Sequence, residues 1–118
     1  MASETHIDKE KCISLLTPIG DALYVIGGKW KLRVIAALHD GHKRFNEIQR
    51  AIDGISARVL SSELKELELN GFVMRIVHTK TPVVVEYEIT DYARSLNDVL
   101  QSLADWGIMH RDKLKRER

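Results

Sequence analysis

Between Arg44 and Glu88 the spacing of apolar residues changes from three or four to two, and a turn signal marks each change. Phe45, Ile48 and Ile52 recur at i, i+3 and i+7, one face of a short helix, which Asp53-Gly54-Ile55 turns. Ser56 is a helix N-cap residue type, and a second helix is expected from about Ala57 to Asn70, stopped by Asn70-Gly71. Its inward face is Leu60, Leu64 and Leu67, with Val59 beside them. Two β-rich runs follow, Phe72 to His78 and Val83 to Ile89, joined by Thr79-Lys80-Thr81-Pro82. The second run alternates, with Val83, Val85, Tyr87 and Ile89 on one face and Val84, Glu86 and Glu88 on the other. Upstream, His42-Lys43-Arg44 could add a small strand to this hairpin.

Helix, tight turn, helix, strand, wing, strand is the order of a winged helix-turn-helix, whose second helix suits the major groove of DNA. The expected fold is mainly α with a small β-hairpin wing, carrying additional N- and C-terminal dimerisation helices. The outward face of the second helix is Ala57, Arg58, Ser61, Ser62 and Lys65. Arg donates two hydrogen bonds to guanine, and Ser donates to or accepts from either base edge. Lys80, with Thr79 and Thr81, sits at the wing tip, where a cation meets phosphate or the minor groove. Lys43, Arg44 and Arg75 are candidate phosphate contacts. Ser56 is expected to cap its helix, leaving the first amides available to a phosphate.

Net charge is only +1, but its distribution follows this plan. Residues 1–28 sum to −2, residues 29–80 to +4 with ten basic and six acidic side chains, and residues 81–118 to −1. Positive charge is concentrated on the DNA-reading module, as a phosphate-facing surface requires.

The flanks carry apolar stripes. Thr17-Pro18 reads as a helix start, followed by Ile19, Ala22, Leu23 and Ile26 on one face and Gly27-Gly28 as the stop. From about Lys29 to Leu38 a helix is apolar over most of its circumference, which places it at the centre of the core. Asp40-Gly41 ends it. Thr90 is expected to cap a long final helix with the stripe Leu96, Val99, Leu100, Leu103, Trp106 and Met109. Both outer helices are more apolar than a small winged domain covers by itself, which points to a homodimer holding two recognition helices on one duplex. Trp30 and Trp106 are expected in the core or the dimer seam. Residues 1–11 read as a flexible arm, 12–110 as the domain and 111–118 as a charged, frayed end.

These residues resemble the HxlR-type branch of the MarR-like winged-helix transcription regulators of bacteria and archaea. The matching pieces are Ile26-Gly27-Gly28-Lys29-Trp30, Arg44-Phe45-Asn46-Glu47-Ile48 and Gly54-Ile55-Ser56-Ala57-Arg58-Val59-Leu60. Further on come Leu64-Lys65-Glu66-Leu67-Glu68, Gly71-Phe72-Val73, Val85-Glu86-Tyr87-Glu88-Ile89-Thr90 and Asp105-Trp106-Gly107. The resemblance implies a dimeric regulator that binds a double-stranded operator and leaves room for a small-molecule effector. The lack of any apolar run near 20 residues, the mixed-charge start and the single cysteine favour the cytoplasm and no membrane. Many members carry a cysteine directly before the first-helix proline, and in some it senses electrophiles or oxidants. Here that position is Thr17, and the single thiol, Cys12, lies five residues earlier.

Two other readings share the pattern. One is a thiol-based regulator switched through Cys12, with Lys9 and Lys11 favouring thiolate and Asp8 and Glu10 opposing it. The other is a winged-helix protein–protein module that does not bind DNA. An enzyme is disfavoured, because the chain has no Ser-His-Asp order, phosphate loop or paired acids in a plausible cleft. The five histidines form no metal-ligand spacing and no CxxC exists, so neither metal nor cofactor is expected.

Overall fold

A computed structural model describes residues 8–41 and 43–118. The elements are α1 (Lys9–Ser14), α2 (Leu16–Ile26), α3 (Lys31–Ala37), β1 (Lys43–Arg44), α4 (Phe45–Ala51), α5 (Ala57–Leu69), β2 (Val73–His78), β3 (Val84–Ile89), a 3-10 turn (Tyr92–Leu96) and α6 (Asn97–Arg116). The fold is therefore mainly helical with a small antiparallel sheet, a winged helix-turn-helix flanked by outer helices.

The chain becomes helical earlier than the sequence suggests. Asp8 caps α1, its Oδ1 accepting from the Lys11 N–H at 2.8 Å, so helix occupies residues 9–11 of the stretch read as an arm. The rest of that stretch, residues 1–7, lies outside the described residues. Thr17 does not start α2, which begins at Leu16 and is entered through Leu15 in helical conformation. Pro18 lies in the first turn of α2, as expected, and with no N–H to give the Ser14 carbonyl it also separates α1 from α2. Gly27 ends α2, its N–H donating to the Leu23 carbonyl at 2.8 Å. A Cβ on Gly27 would collide with that same oxygen. α3 then starts at Lys31, two residues later than expected, with Trp30 at its N-cap.

The core gathers one face from each central element. Val34, Ile35 and Leu38 come from α3 and its end, Ile48 from α4, and Leu60, Leu64 and Leu67 from α5. Ile52 and Ile55 close the turn between α4 and α5, while Phe72, Val73, Ile89 and Ala93 close the sheet side. Phe45 packs against this cluster from outside.

The sheet order is β1-β3-β2, all antiparallel, with Arg44 opposite Glu86, Val73 opposite Ile89 and His78 opposite Val84. The small strand expected at Lys43-Arg44 is present; His42 lies outside the described residues. β3 is thus the central strand, and this blurs its alternation: residues 84–88 are all half-buried, and only Ile89 is fully covered. Val83, placed on the inward face by its sequence spacing, lies in the exposed turn before the strand.

Thr90 does not cap α6. Its hydroxyl donates to the Gly71 carbonyl at 2.6 Å and accepts from Ala93 N–H at 3.2 Å, tying the end of α5 to the 3-10 turn. α6 starts at Asn97 and runs through Arg116, so the C-terminal end is helical rather than frayed. A Lys113–Glu117 ion pair of 2.9 Å spans its last turn.

Twenty residues make α6 about 30 Å long. The Cα radius of gyration is 17.4 Å, against about 13–14 Å for a compact domain of this length. The excess reflects outer helices that project from the core. Removing buried methylenes from the inward face of α5 should be costly: Leu64→Ala should lower unfolding free energy by about 2–5 kcal/mol in urea titration. A loss under about 1 kcal/mol would mean that α5 is not anchored through Leu64.

Candidate nucleic-acid interface

The tight turn is set by Gly54, at a φ of +85°, a conformation that side-chain-bearing residues rarely adopt. Gln49 Nε2 braces the turn by donating to the Ile55 carbonyl at 3.3 Å. Ser56 then caps α5, its hydroxyl accepting from Val59 N–H at 3.1 Å. That hydroxyl is committed to the backbone, as the sequence suggested.

With Leu60, Leu64 and Leu67 facing the core, helical geometry turns Arg58, Ser62 and Lys65 outward, and all three are exposed. Ala57 is exposed at the first turn, while Ser61 sits half-buried at the flank. The same stripe continues to Leu69, at i+4 from Lys65, which is 85% exposed and was not foreseen. Sequence spacing could have found it, because Arg58, Ser62, Lys65 and Leu69 follow i, i+4, i+7 and i+11.

One unforeseen ion-pair cluster fixes this helix laterally. Lys31 Nζ, at the start of α3, lies 2.8 Å from Glu63 Oε1 and 2.9 Å from Glu66 Oε1. Its side chain is only 13% exposed. The hydrogen bond to Glu63 raises the Lys31 pKa above its ordinary value, against partial desolvation and with help from Glu66. Lys31 therefore stays charged at any physiological pH.

The other candidates occupy the sheet. Thr79, Lys80 and Thr81 are exposed at the wing tip. Arg75 is exposed on β2, opposite Tyr87. Arg44 begins α4, where Glu47 Oε1 accepts its backbone N–H at 2.7 Å, and its side chain is exposed. Arg44, Asn46, Glu47, Arg50 and Glu86 line one polar depression, which adds Asn46 and Arg50 to the basic surface beside β1. Lys43 is partly committed, its Nζ lying 2.9 Å from Asp40 Oδ1. That contact holds the Asp40 carboxyl below its ordinary pKa. His78 Nε2 lies 2.7 Å from Glu86 Oε1, joining β2 to β3 at the outer end of the wing.

The outer helices leave large apolar side chains uncovered. Ile13, Leu16, Ile19, Leu23 and Tyr24 are exposed on α1 and α2. Val99, Leu103, Trp106 and Met109 are exposed along α6, whereas Leu96 and Leu100 pack against the core. Trp106 is 60% exposed and stacks on His110 at 5.1 Å. Trp30 packs against the core, flanked by Lys29 at 4.8 Å and Arg33 at 5.4 Å from its ring centre. Cys12 is exposed on α1. Among the described residues no group of three or more His, Cys, Asp or Glu side chains could hold a metal ion. Nor is any described helix long and apolar enough to cross a membrane.

The HxlR-like helix-turn-helix family model matches residues 25–115. The chain is 40% identical over 111 residues to the HTH-type transcriptional regulator YybR of Bacillus subtilis, covering 94% of this chain and 85% of that one. A MarR-family transcriptional regulator structure from Enterococcus faecalis superposes with a TM-score of 0.72 at 40% identity, covering 98% of this chain and 99% of that one. The reduced form of the redox regulator HypR superposes with a TM-score of 0.77 at 40% identity, covering 84% of this chain and 98% of that one. Its oxidised form gives 0.74 at 40% identity, covering 78% and 95%. Family match, fold and relatives agree: the chain belongs to the HxlR-like helix-turn-helix family and is a transcriptional regulator of the MarR-like winged-helix type.

Proposed function

We propose that the chain acts as a homodimer that binds a specific operator in double-stranded DNA. The observation that carries this reading is α5: capped by Ser56, held from inside by three leucines, and presenting Arg58, Ser62 and Lys65 on one exposed stripe. Each subunit lays α5 in a major groove, where Arg58 and the serines meet base edges. Lys80 at the wing and Arg44, Arg75 and Lys43 beside the sheet contact phosphate, and Thr79 and Thr81 flank the wing contact. The uncovered apolar faces of α1, α2 and α6 pair with a second copy, setting two recognition helices about one helical turn of DNA apart or a multiple of it.

Arg58→Ala should cost on the order of 1–3 kcal/mol at the matched operator and relax preference at one base pair per half-site. Gel shifts with DNA flanking the chain's own gene check it. If Arg58→Ala and Lys65→Ala both bind as tightly as the parent, α5 is not the reading helix. Absence of any shift with the parent would favour a protein-docking role for the same surface.

The dimer has its own test. Trp106→Glu puts a charge in the middle of the α6 stripe and should convert the protein to a monomer in sedimentation equilibrium. A dimer unchanged in strength would move the seam away from α6.

A second reading, thiol control, is favoured by the exposed Cys12 and by similarity to HypR, whose structures are described as oxidised and reduced forms. Diamide should then weaken or strengthen operator binding by the parent and leave Cys12→Ser unaffected. An equal response in both proteins removes Cys12 as the switch.

A further inference from the structure

α5 would make a poor partner for a polyanion if its charges were counted alone. It carries Arg58 and Lys65 but also Glu63, Glu66 and Glu68. Glu66 follows Ser62 by four residues and Lys65 by one, so it borders the outward stripe. Glu63 lies further round, toward α3. Neither carboxylate faces solvent unopposed, because both converge on one ammonium supplied by another element.

We infer that Lys31 is a charge-cancelling residue for DNA binding. Its ammonium neutralises Glu63 and Glu66 on the side of α5 that borders the stripe of Arg58, Ser62 and Lys65. The inference rests on the proposal that α5 reads DNA. Three features make Lys31 suited to this role. It contacts Oε1 of both glutamates within 2.9 Å, so one cation serves two anions. The Lys31 and Glu63 side chains are largely covered while Glu66 is half-exposed, so salt and water weaken the Glu63 contact less than one at an open surface. It opens α3, directly after Trp30 and the Gly27-Gly28 joint, so α5 is keyed to the element that leads out to α2.

The test uses the full chain, a duplex from the region flanking its own gene, and poly(dI-dC) as a non-specific duplex. Lys31→Met keeps most of the aliphatic stem and removes the charge. It should weaken binding to both duplexes by roughly fivefold at low salt, and the gap should narrow as salt rises. Adding Glu63→Gln and Glu66→Gln to Lys31→Met should restore most of the affinity, and Lys31→Arg should bind nearly as the parent does. Glu63→Gln with Glu66→Gln in the parent background leaves Lys31 unopposed and should tighten binding to both duplexes. This pair keeps the question answerable if Lys31→Met folds poorly. Lys31→Met binding as tightly as the parent would overturn the inference. So would a loss that does not depend on salt, a loss that the two glutamines fail to repair, or a Gln pair that does not tighten binding. A parent that shifts neither duplex overturns the DNA-binding proposal itself, which separates that failure from this one.

Discussion

Burial of Leu60, Leu64 and Leu67 against Val34, Ile35 and Ile48 is the contact on which the rest of the molecule depends. Each fully buried leucine contributes about 1.5–3 kcal/mol. Three on one helix face also fix its rotation about its own axis, because an apolar stripe can satisfy the core in only one orientation. Once the inward face is set, the outward face is set with it. Lys31 then adds a lateral constraint, so that α5 is held from below by packing and from the side by charge.

Much of this was legible in the sequence, for a clear physical reason. A leucine stripe, a serine cap and a glycine turn are local signals, and α4, its turn, α5 and the strand pair emerged where their residues pointed. The signals that failed were those that depend on distant partners. Lys31 and Glu63 are 32 residues apart, and nothing local to either announces the other. Thr90 has the sequence of a cap, yet its hydroxyl reaches back to the Gly71 carbonyl, and a 3-10 turn intervenes before α6. Val83 continued the alternation of β3, but the turn took it out of the strand. Pro18 was correctly read as a helix-first-turn residue in kind, but Asp8 had already started helix upstream.

The outer helices behave differently from the centre. α2 gives the core only Ile26 in full, and the outer half of α6 gives it nothing fully buried. Their sequence nevertheless spends large apolar side chains on exposed positions: Leu23, Leu103 and Trp106 are each more than half exposed. An isolated chain gains nothing from that arrangement. Paired with a second copy, the same residues would complete a core that one chain cannot build, and stability would then depend on protein concentration.

The two-faced α5 also shapes how such a chain can diverge. None of Arg58, Ser62, Lys65 or Leu69 is needed to fill the core, so exchanging them changes folding stability by no more than about 0.5 kcal/mol each. The inward leucines have no such freedom. On the proposed reading of α5, copies arising by gene duplication would acquire new target sequences through a handful of surface substitutions while keeping the same scaffold. A single chromosome can in this way hold many regulators that differ in address and share one architecture.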